Sequence, residues 1–174
     1  MATDRKLGRK TDIRLAMLKS QTTDLILHGK IETTLARAKE VKAIADSIIS
    51  LAVKEAKNFE EVEVKVVKAK LDANGNKETE KVTSKNGKEY LRVVKEEKME
   101  KRQKDMPSRL NARRKIMRKL NKVSDSGGNK VDLPSKLFNE IAPKYEGRIG
   151  GYTKIVRIGK RFGDGAEKVI LQLV

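Results

Sequence analysis

The stretch IETTLARAKEVKAIADSIISLA, residues 31–52, changes its hydrophobic period after the first four residues. Those four are largely β-branched, which favours a brief strand. From Leu35 onward apolar residues recur at the spacing of a helix face, and Thr34 is a suitable N-cap. The sequence therefore predicts a short strand that leads into an amphipathic helix ending near Ala56. The apolar face of that helix consists of Leu35, Ala38, Val41, Ala45, Ile48, Leu51 and Ala52.

A helix is also predicted before this unit. It begins at a cap formed by Thr11 or Asp12 and runs to about His28, because Gly29 is a natural helix stop. Its expected apolar stripe consists of Leu15, Leu18, Leu25 and Ile26.

The C-terminal part predicts two more helices and a hairpin. A basic helix follows Pro107 with Ser108 as its cap, and a flexible linker at 124–129 precedes a short helix closed by Pro143. The first of these helices has a stripe of Leu110, Ala112, Ile116, Met117 and Leu120, and the second has Leu137, Phe138, Ile141 and Ala142. A hairpin with strands at 152–158 and 169–174 and a loop at 159–165 ends the chain.

The middle of the chain has a different pattern. Alternating valines from Val62 predict a strand, and two Asn-Gly turns at 74–75 and 86–87 separate it from a weak strand and a third strand. Lys95 to Asp105 is almost wholly charged, which predicts an exposed helix or disorder. Residues 58–107 are therefore predicted to form a β-hairpin or meander module inserted between the second and third helices of an α+β core at 1–57 and 108–174.

Composition excludes several chemistries. The 174 residues contain one histidine and no cysteine, which excludes thiolate metal sites, cysteine nucleophiles and multi-histidine metal sites. The formal net charge of +17 indicates a polyanionic partner. No signal peptide or membrane-length apolar stretch occurs, so we expect a cytoplasmic protein that contacts nucleic acid rather than a membrane.

The charge is unevenly distributed. The two core segments carry +15 of the +17 and eleven of the thirteen arginines, whereas 58–107 is nearly balanced. Arginine suits phosphate because its planar fork donates two hydrogen bonds together. We therefore expect the core to bind nucleic acid and the inserted module to be solvated.

Two motifs that resemble ligand sites are incomplete. The segment from Asp72 begins like a calcium loop but has Lys77 where glycine is required, and the glycine-rich loop 159–165 matches no nucleotide-binding fingerprint. No catalytic residue, metal site or cofactor is predicted. An RNA-modifying enzyme and a free nucleic-acid compaction protein remain as alternatives, both of which fit the sequence less well.

Several separated blocks match one known family. IETTLARAKEV at 31–41, KLFNEIAPKY at 136–145 and RIGGYTKI at 148–155 resemble, in order, bacterial large-subunit ribosomal protein seventeen. The basic start and the segment Ala16-Met17-Leu18 also match. The resemblance covers about 3–57 and 109–174 but not 58–107, and it departs at Ile13, where the family often has histidine.

The resemblance implies a two-layer α/β fold in the order α-β-α-α-α-β-β. It also implies a structural constituent of the large (50S) subunit that binds 23S-type ribosomal RNA near the peptide exit tunnel and supports subunit assembly. Its partners would be that RNA and neighbouring proteins of the tunnel rim, at one copy per ribosome, with no small-molecule substrate.

Basic, glycine and aromatic residues of the core are the predicted RNA contacts. For each cation the alternative is a solvated surface charge, and Tyr152 either stacks on a splayed base or packs in the core. The predicted contacts are Arg5, Lys6, Arg9, Lys10, Arg14, Arg37, Lys39, Lys42, Arg109, Arg113, Arg114, Arg118, Arg148, Gly150, Gly151, Tyr152, Lys154, Arg157, Lys160 and Arg161.

Overall fold

A computed structural model describes residues 5–73, 75–125 and 127–174 and has a mixed α+β architecture. The chain divides into a larger unit, made of residues up to Asn58 and Asp105–Val174, and a smaller unit, Phe59–Lys104. The elements in chain order are α1 (Thr11–His28), β1 (Lys30–Thr34), α2 (Leu35–Glu55), β2 (Phe59–Ala69), β3 (Thr79–Thr83), β4 (Glu89–Val93), β5 (Lys95–Asp105), α3 (Pro107–Lys119), β6 (Val123–Ser124), β7 (Lys130–Val131), α4 (Leu133–Lys136), β8 (Thr153–Lys160) and β9 (Glu167–Leu173).

The first helix ends where the sequence predicts but begins differently. Gly29 adopts φ 78° and its N–H donates to the Leu25 carbonyl at 2.8 Å, so it terminates α1. The N-cap position is Lys10, which makes no side-chain cap, so the predicted caps at Thr11 and Asp12 are wrong.

The predicted stripe of α1 is also partly wrong. Leu15 is 55 % exposed, while Thr22 and Thr23 are buried. Their hydroxyls donate to the carbonyls one turn earlier, which satisfies them inside the helix and lets them occupy core positions.

A three-stranded antiparallel sheet in the order β1-β9-β8 lies at the centre of the larger unit. Leu171 is paired with Ile31 on one side and Ile155 on the other, so all three side chains share a face. Val169 and Leu171 are buried with Leu25, Ala38 and Val41 of the two long helices. A hydrogen bond of 2.9 Å from Thr153 Oγ1 to Asp46 Oδ1 joins β8 to α2.

A second core lies further along the same face of α2, where the C-terminal half of that helix meets α3 and α4. Ile48 and Ile49 of α2 pack with Ile116 of α3. The segment after α4 continues as a π-helical turn, Leu137–Ile141, and a 3₁₀ turn, Ala142–Tyr145, which adds Phe138 and Tyr145 to this core. Pro143 lies inside the 3₁₀ turn, so the prediction that it closes the helix is wrong.

The predicted flexible linker at 124–129 is largely ordered as a turn. Strands β6 and β7 pair across it, and the Gly128 N–H donates to the Asp125 carbonyl at 2.8 Å. Ser126 lies outside the described residues. Glycine and aspartate here serve a tight hairpin rather than a loose connection.

The smaller unit contains two separate strand pairs, β2 with β5 and β3 with β4. The prediction of a helix or disorder at 95–105 is wrong, because that segment is the strand β5. Cross-strand ion pairs compensate for its lack of apolar residues: Glu60 Oε1 is 2.9 Å from Lys104 Nζ, and Lys68 pairs with Glu100. The turn at 86–87 is present, with Gly87 N–H donating to the Ser84 carbonyl, whereas Asn74 lies outside the described residues.

Candidate nucleic-acid interface

Among the cations of the N-terminal segment, Arg5 lies next to α2. Arg5 Nε is 3.8 Å from Glu40 Oε1, and a turn closed by a hydrogen bond from Arg9 N–H to the Lys6 carbonyl leads into α1. Lys6, Arg9 and Lys10 are exposed, and no carboxylate within the described residues pairs with them. Residues 1–4 of the predicted basic tail lie outside the described chain.

Four further predicted contacts lie on the two long helices. Arg14, Arg37 and Lys42 are half-buried and Lys39 is exposed. Arg14 Nε is enclosed and has no hydrogen-bond acceptor among the residues that the structure describes. A partly desolvated donor of this kind gains more from an added anion than a fully hydrated one does.

Arg109 is not a surface residue, which corrects its predicted role. Its side chain is 1 % exposed, its Nε lies 3.3 Å from Asp105 Oδ1, and its guanidinium lies 4.8 Å from the centre of the Phe138 ring. Burial lowers the pKa of Arg109, although the Asp105 charge opposes that shift. The carboxylate and the ring together hold the cation inside the fold.

Arg113, one turn further along α3, points to the same place. Its Nε donates to Asp105 Oδ2 at 2.6 Å and its Nη1 donates to Ser135 Oγ at 3.0 Å. Its guanidinium lies 5.3 Å from the Phe138 ring centre. Arg113 therefore joins α3 to α4 and is not available as an open phosphate contact.

Helical spacing explains why these two arginines turn inward. Arg109, Ala112 and Ile116 are three and four residues apart and form the buried face of α3. The predicted stripe included Leu110 and Met117, which are instead 36 % and 50 % exposed. The exposed basic side of α3 therefore contains fewer residues than predicted, and Arg109 is not one of them.

The opposite side of α3 is an exposed basic face formed by Arg114, Lys115, Arg118 and Lys119. Within the described part of the chain, no carboxylate pairs with any of the four. We call these four residues the α3 basic face.

Shallow grooves beside α3 extend this basic surface. One is lined by Ser47, Ile48 and Leu51 of α2 together with Lys115, Arg118 and Lys119, and Lys119 Nζ donates to Ser47 Oγ at 3.2 Å. A second groove beside α3 is lined in part by Lys19 of α1. Lys115 and Lys119 belong to the basic run from Arg109 to Lys119 that the sequence marks for phosphate contact, whereas Lys19 was not predicted.

The loop before β8 is closed by its own arginine. Arg148 Nε donates to the Gly150 carbonyl at 3.1 Å, and its Nη2 donates to the Gly151 carbonyl at 2.8 Å. Gly151 has φ 66°, a conformation that favours glycine. Both glycines are exposed, so the loop backbone is open to a partner.

Tyr152 packs in the core, which was the alternative to base stacking. It is 2 % exposed, its ring meets Tyr145 edge-on with 5.2 Å between centroids, and its hydroxyl donates to the Arg148 carbonyl at 2.9 Å. Burial raises the pKa of Tyr145. Tyr152 therefore supports the loop from below and offers no free ring face.

The cations of the terminal hairpin are exposed but differ in their pairing. Arg157 Nε lies 3.0 Å from Glu167 Oε1, whereas Lys154 and Lys160 have no carboxylate partner among the described residues. Arg161 Nε donates to Asp164 Oδ1 at 2.8 Å. That guanidinium, together with the Ala166 N–H, lowers the pKa of Asp164 to about 2.

The described residues contain no cluster of histidine, aspartate and glutamate suited to a metal ion. None of the helices in residues 5–73, 75–125 and 127–174 is long and apolar enough to cross a membrane.

The fold and its surface define a small, strongly basic α+β protein whose exposed cations outnumber the carboxylates available to them. The family model for Ribosomal protein L17 matches residues 17–174. The chain is 58 % identical to Large ribosomal subunit protein bL17 of Acetivibrio thermocellus over 174 residues, all of both chains. It is 51 % identical over 183 residues to the protein of that name in Lachnospira eligens, and 36 % identical over 174 residues to that of Clostridium botulinum strain Hall, again with full coverage of both chains.

This chain belongs to the ribosomal protein L17 family, as its sequence blocks indicated. The similarity extends through residues 58–107, which the resemblance of separate blocks had left out.

Proposed function

We propose that this protein is a structural constituent of the large ribosomal subunit and binds the RNA of that subunit. The relatives described above carry the name of a large-subunit protein, and family membership extends that role to this chain. The observation that carries RNA binding is the α3 basic face. Unpaired cations at helical spacing repel one another, and phosphates relieve that repulsion.

Two surfaces of the larger unit supply the proposed contacts. One is the α3 basic face with the neighbouring cations of α1 and α2. The other is the terminal hairpin, where Lys154 and Lys160 are exposed. Recognition depends on the shape of folded RNA, because charged side chains that meet phosphates do not read a base sequence.

A layered arrangement would suit such a protein. Residues on one face of the sheet, among them Val169 and Leu171, are covered by the long helices, which supports the proposed two-layer order α-β-α-α-α-β-β. The layers would stiffen the hairpin and α3, so that little order has to be gained when RNA binds.

The proposed location is the rim of the peptide exit tunnel, with one copy per ribosome and neighbouring ribosomal proteins as further partners. The proposed role is structural support of subunit assembly, and no catalytic step is assigned. An RNA-modifying enzyme would need a general base or metal site, and the sequence offers no motif for either.

Binding of the purified protein to a transcript of large-subunit RNA tests the proposal. We expect tight binding, and the logarithm of the association constant should fall linearly with the logarithm of the salt concentration. Double-stranded DNA of equal length serves as the competitor. Equal affinity for DNA would favour a compaction protein and contradict the proposed role.

A further inference from the structure

Phe162 has an unusual position for an aromatic residue. It lies in the loop between β8 and β9, and its side chain is fully exposed. Of the other aromatic residues, Phe138, Tyr145 and Tyr152 are buried, and Tyr90 is 50 % exposed. An aromatic ring left entirely in water on a small protein indicates a contact with a partner.

The loop that carries Phe162 is held by a set of internal hydrogen bonds. The Arg161 N–H donates to the Ala166 carbonyl at 2.8 Å, and the Gly165 N–H donates to the Arg161 carbonyl at 2.9 Å. The Asp164 carboxylate accepts from the Arg161 guanidinium and, at 3.1 Å, from the Ala166 N–H. The ring is thus displayed from a closed turn, which lowers the entropy lost when it binds.

The surroundings of Phe162 suit a nucleobase. Gly163 follows it directly, and a Cβ there would meet nothing within 4 Å, so one side of the loop is open. Lys160 is exposed without a carboxylate partner in the described chain and lies two residues away. A flat ring beside a free cation is the arrangement by which proteins stack on a base and neutralise its phosphate.

The same surroundings fit a protein pocket less well. Protein-binding hot spots consist of several apolar residues that exclude water together. Phe162 is the one large apolar residue of the segment 159–165, which also contains three glycines. Within four residues of Phe162 the only other exposed large apolar side chain is Ile158, at 52 %, and two such side chains are fewer than a hot spot requires.

We propose that Phe162 is an RNA-binding residue that stacks on an unpaired base of the large-subunit RNA, with Lys160 on the adjoining phosphate. The inference rests on the proposed function, because it requires that the hairpin contacts RNA. It adds an aromatic contact that was not among the predicted residues, where Tyr152 was considered for that role.

Fluorescence offers a direct test because the chain contains no tryptophan. The variant Phe162→Trp then reports from the loop alone, and stacking on a base quenches indole emission. The probe is an in vitro transcript of large-subunit RNA added to the full-length protein. We expect saturable quenching of Phe162→Trp, and little change in the control variant Tyr90→Trp, whose site lies in the smaller unit.

Affinity measurements on matched variants complete the test. Phe162→Leu keeps an apolar side chain but has no ring, and we expect binding to weaken on the order of ten-fold with an unchanged salt slope. The salt slope is the change in the logarithm of the association constant with the logarithm of salt concentration. Lys160→Gln is expected to reduce it by about 0.7, the value for one phosphate contact to a single strand.

The outcomes separate the two proposals. Wild-type binding with no quenching and no loss in Phe162→Leu would overturn the stacking role and leave the proposed function standing. Quenching in assembled subunits but not on naked RNA would also overturn it, in favour of a protein pocket. Failure of the wild-type protein to bind the RNA would refute the proposed function itself.

Discussion

The guanidinium of Arg109 lies 4.8 Å from the centre of the Phe138 ring, while its Nε is 3.3 Å from Asp105 Oδ1. Arg113 uses the same ring and the same carboxylate. One aspartate and one phenylalanine therefore hold the first two arginines of α3 inside the larger unit. The cations left for a partner are those on the other side of the helix.

Replacing Asp105 with asparagine is expected to destabilise the larger unit by about 3 kcal/mol, because a buried guanidinium loses its counter-charge. Urea unfolding followed by far-UV circular dichroism measures the change. The matched control is Glu60→Gln, which removes an exposed pair with Lys104 and is expected to cost less than about 1 kcal/mol. Equal effects of the two substitutions would contradict the buried role of Asp105.

The two sides of α3 are expected to respond differently to neutralisation. Arg114→Gln combined with Arg118→Gln removes exposed, unpaired cations, so RNA affinity and its salt slope should fall while the unfolding free energy stays within about 0.5 kcal/mol. Arg113→Gln should instead lower the unfolding free energy by about 2 kcal/mol, because Asp105 loses a hydrogen-bonded partner. Binding titrations and urea unfolding curves on the same samples measure both quantities. If Arg113→Gln weakened RNA binding and the double variant lowered the unfolding free energy, the α3 basic face would not be the interface.

Asp164 is expected to titrate far below an ordinary aspartate. Its pKa of about 2 lies under the usual 3.8, so its interactions stabilise the loop above the unfolded-state pKa and are lost as pH falls through about 2. Carbonyl-detected NMR measures this pKa. Arg161→Gln should raise it, since the guanidinium is the main cause of the shift, and an unchanged pKa would show that the loop is not closed by this pair.

Removal of the smaller unit is expected to leave the larger unit folded. The Met106 N–H donates to the Asn58 carbonyl at 3.2 Å, so residues 58 and 106 are adjacent and a short glycine linker can join the flanking chain. No side chain described in 59–104 is buried, so this segment contributes no buried side chain to a core. The helical far-UV circular dichroism signal and cooperative thermal unfolding should be retained, and loss of cooperative unfolding would show that the module is integral.

Local patterns in the sequence predicted the elements of the larger unit well. The change of period at Thr34 locates β1 and α2, and Gly29 terminates α1, because these features depend on residues close in sequence. The charged segment 95–105 was misjudged, since its strand is stabilised by β2, a partner distant in sequence. Propensity alone does not include such cross-strand pairs.

The candidate interface was predicted as a set of residue types, without knowledge of which side chains are buried or paired. Sequence alone did not distinguish Arg109 and Arg113 from Arg114 and Arg118, because Asp105 and Phe138 meet them only in the folded chain. Tyr152 is buried for the same reason, through its contact with Tyr145. Phe162 was overlooked because an exposed aromatic residue is recognised by its surroundings rather than by its spacing.

Sedimentation of a bacterial lysate that expresses the full chain with an affinity tag tests whether the protein is assembled into the large ribosomal subunit. We expect the protein to sediment with that subunit at one copy per subunit, and we expect Arg114→Gln combined with Arg118→Gln to lower this occupancy. A wild-type pool that stays at the top of the gradient, or sediments with DNA, would show that the protein is not a constituent of the subunit.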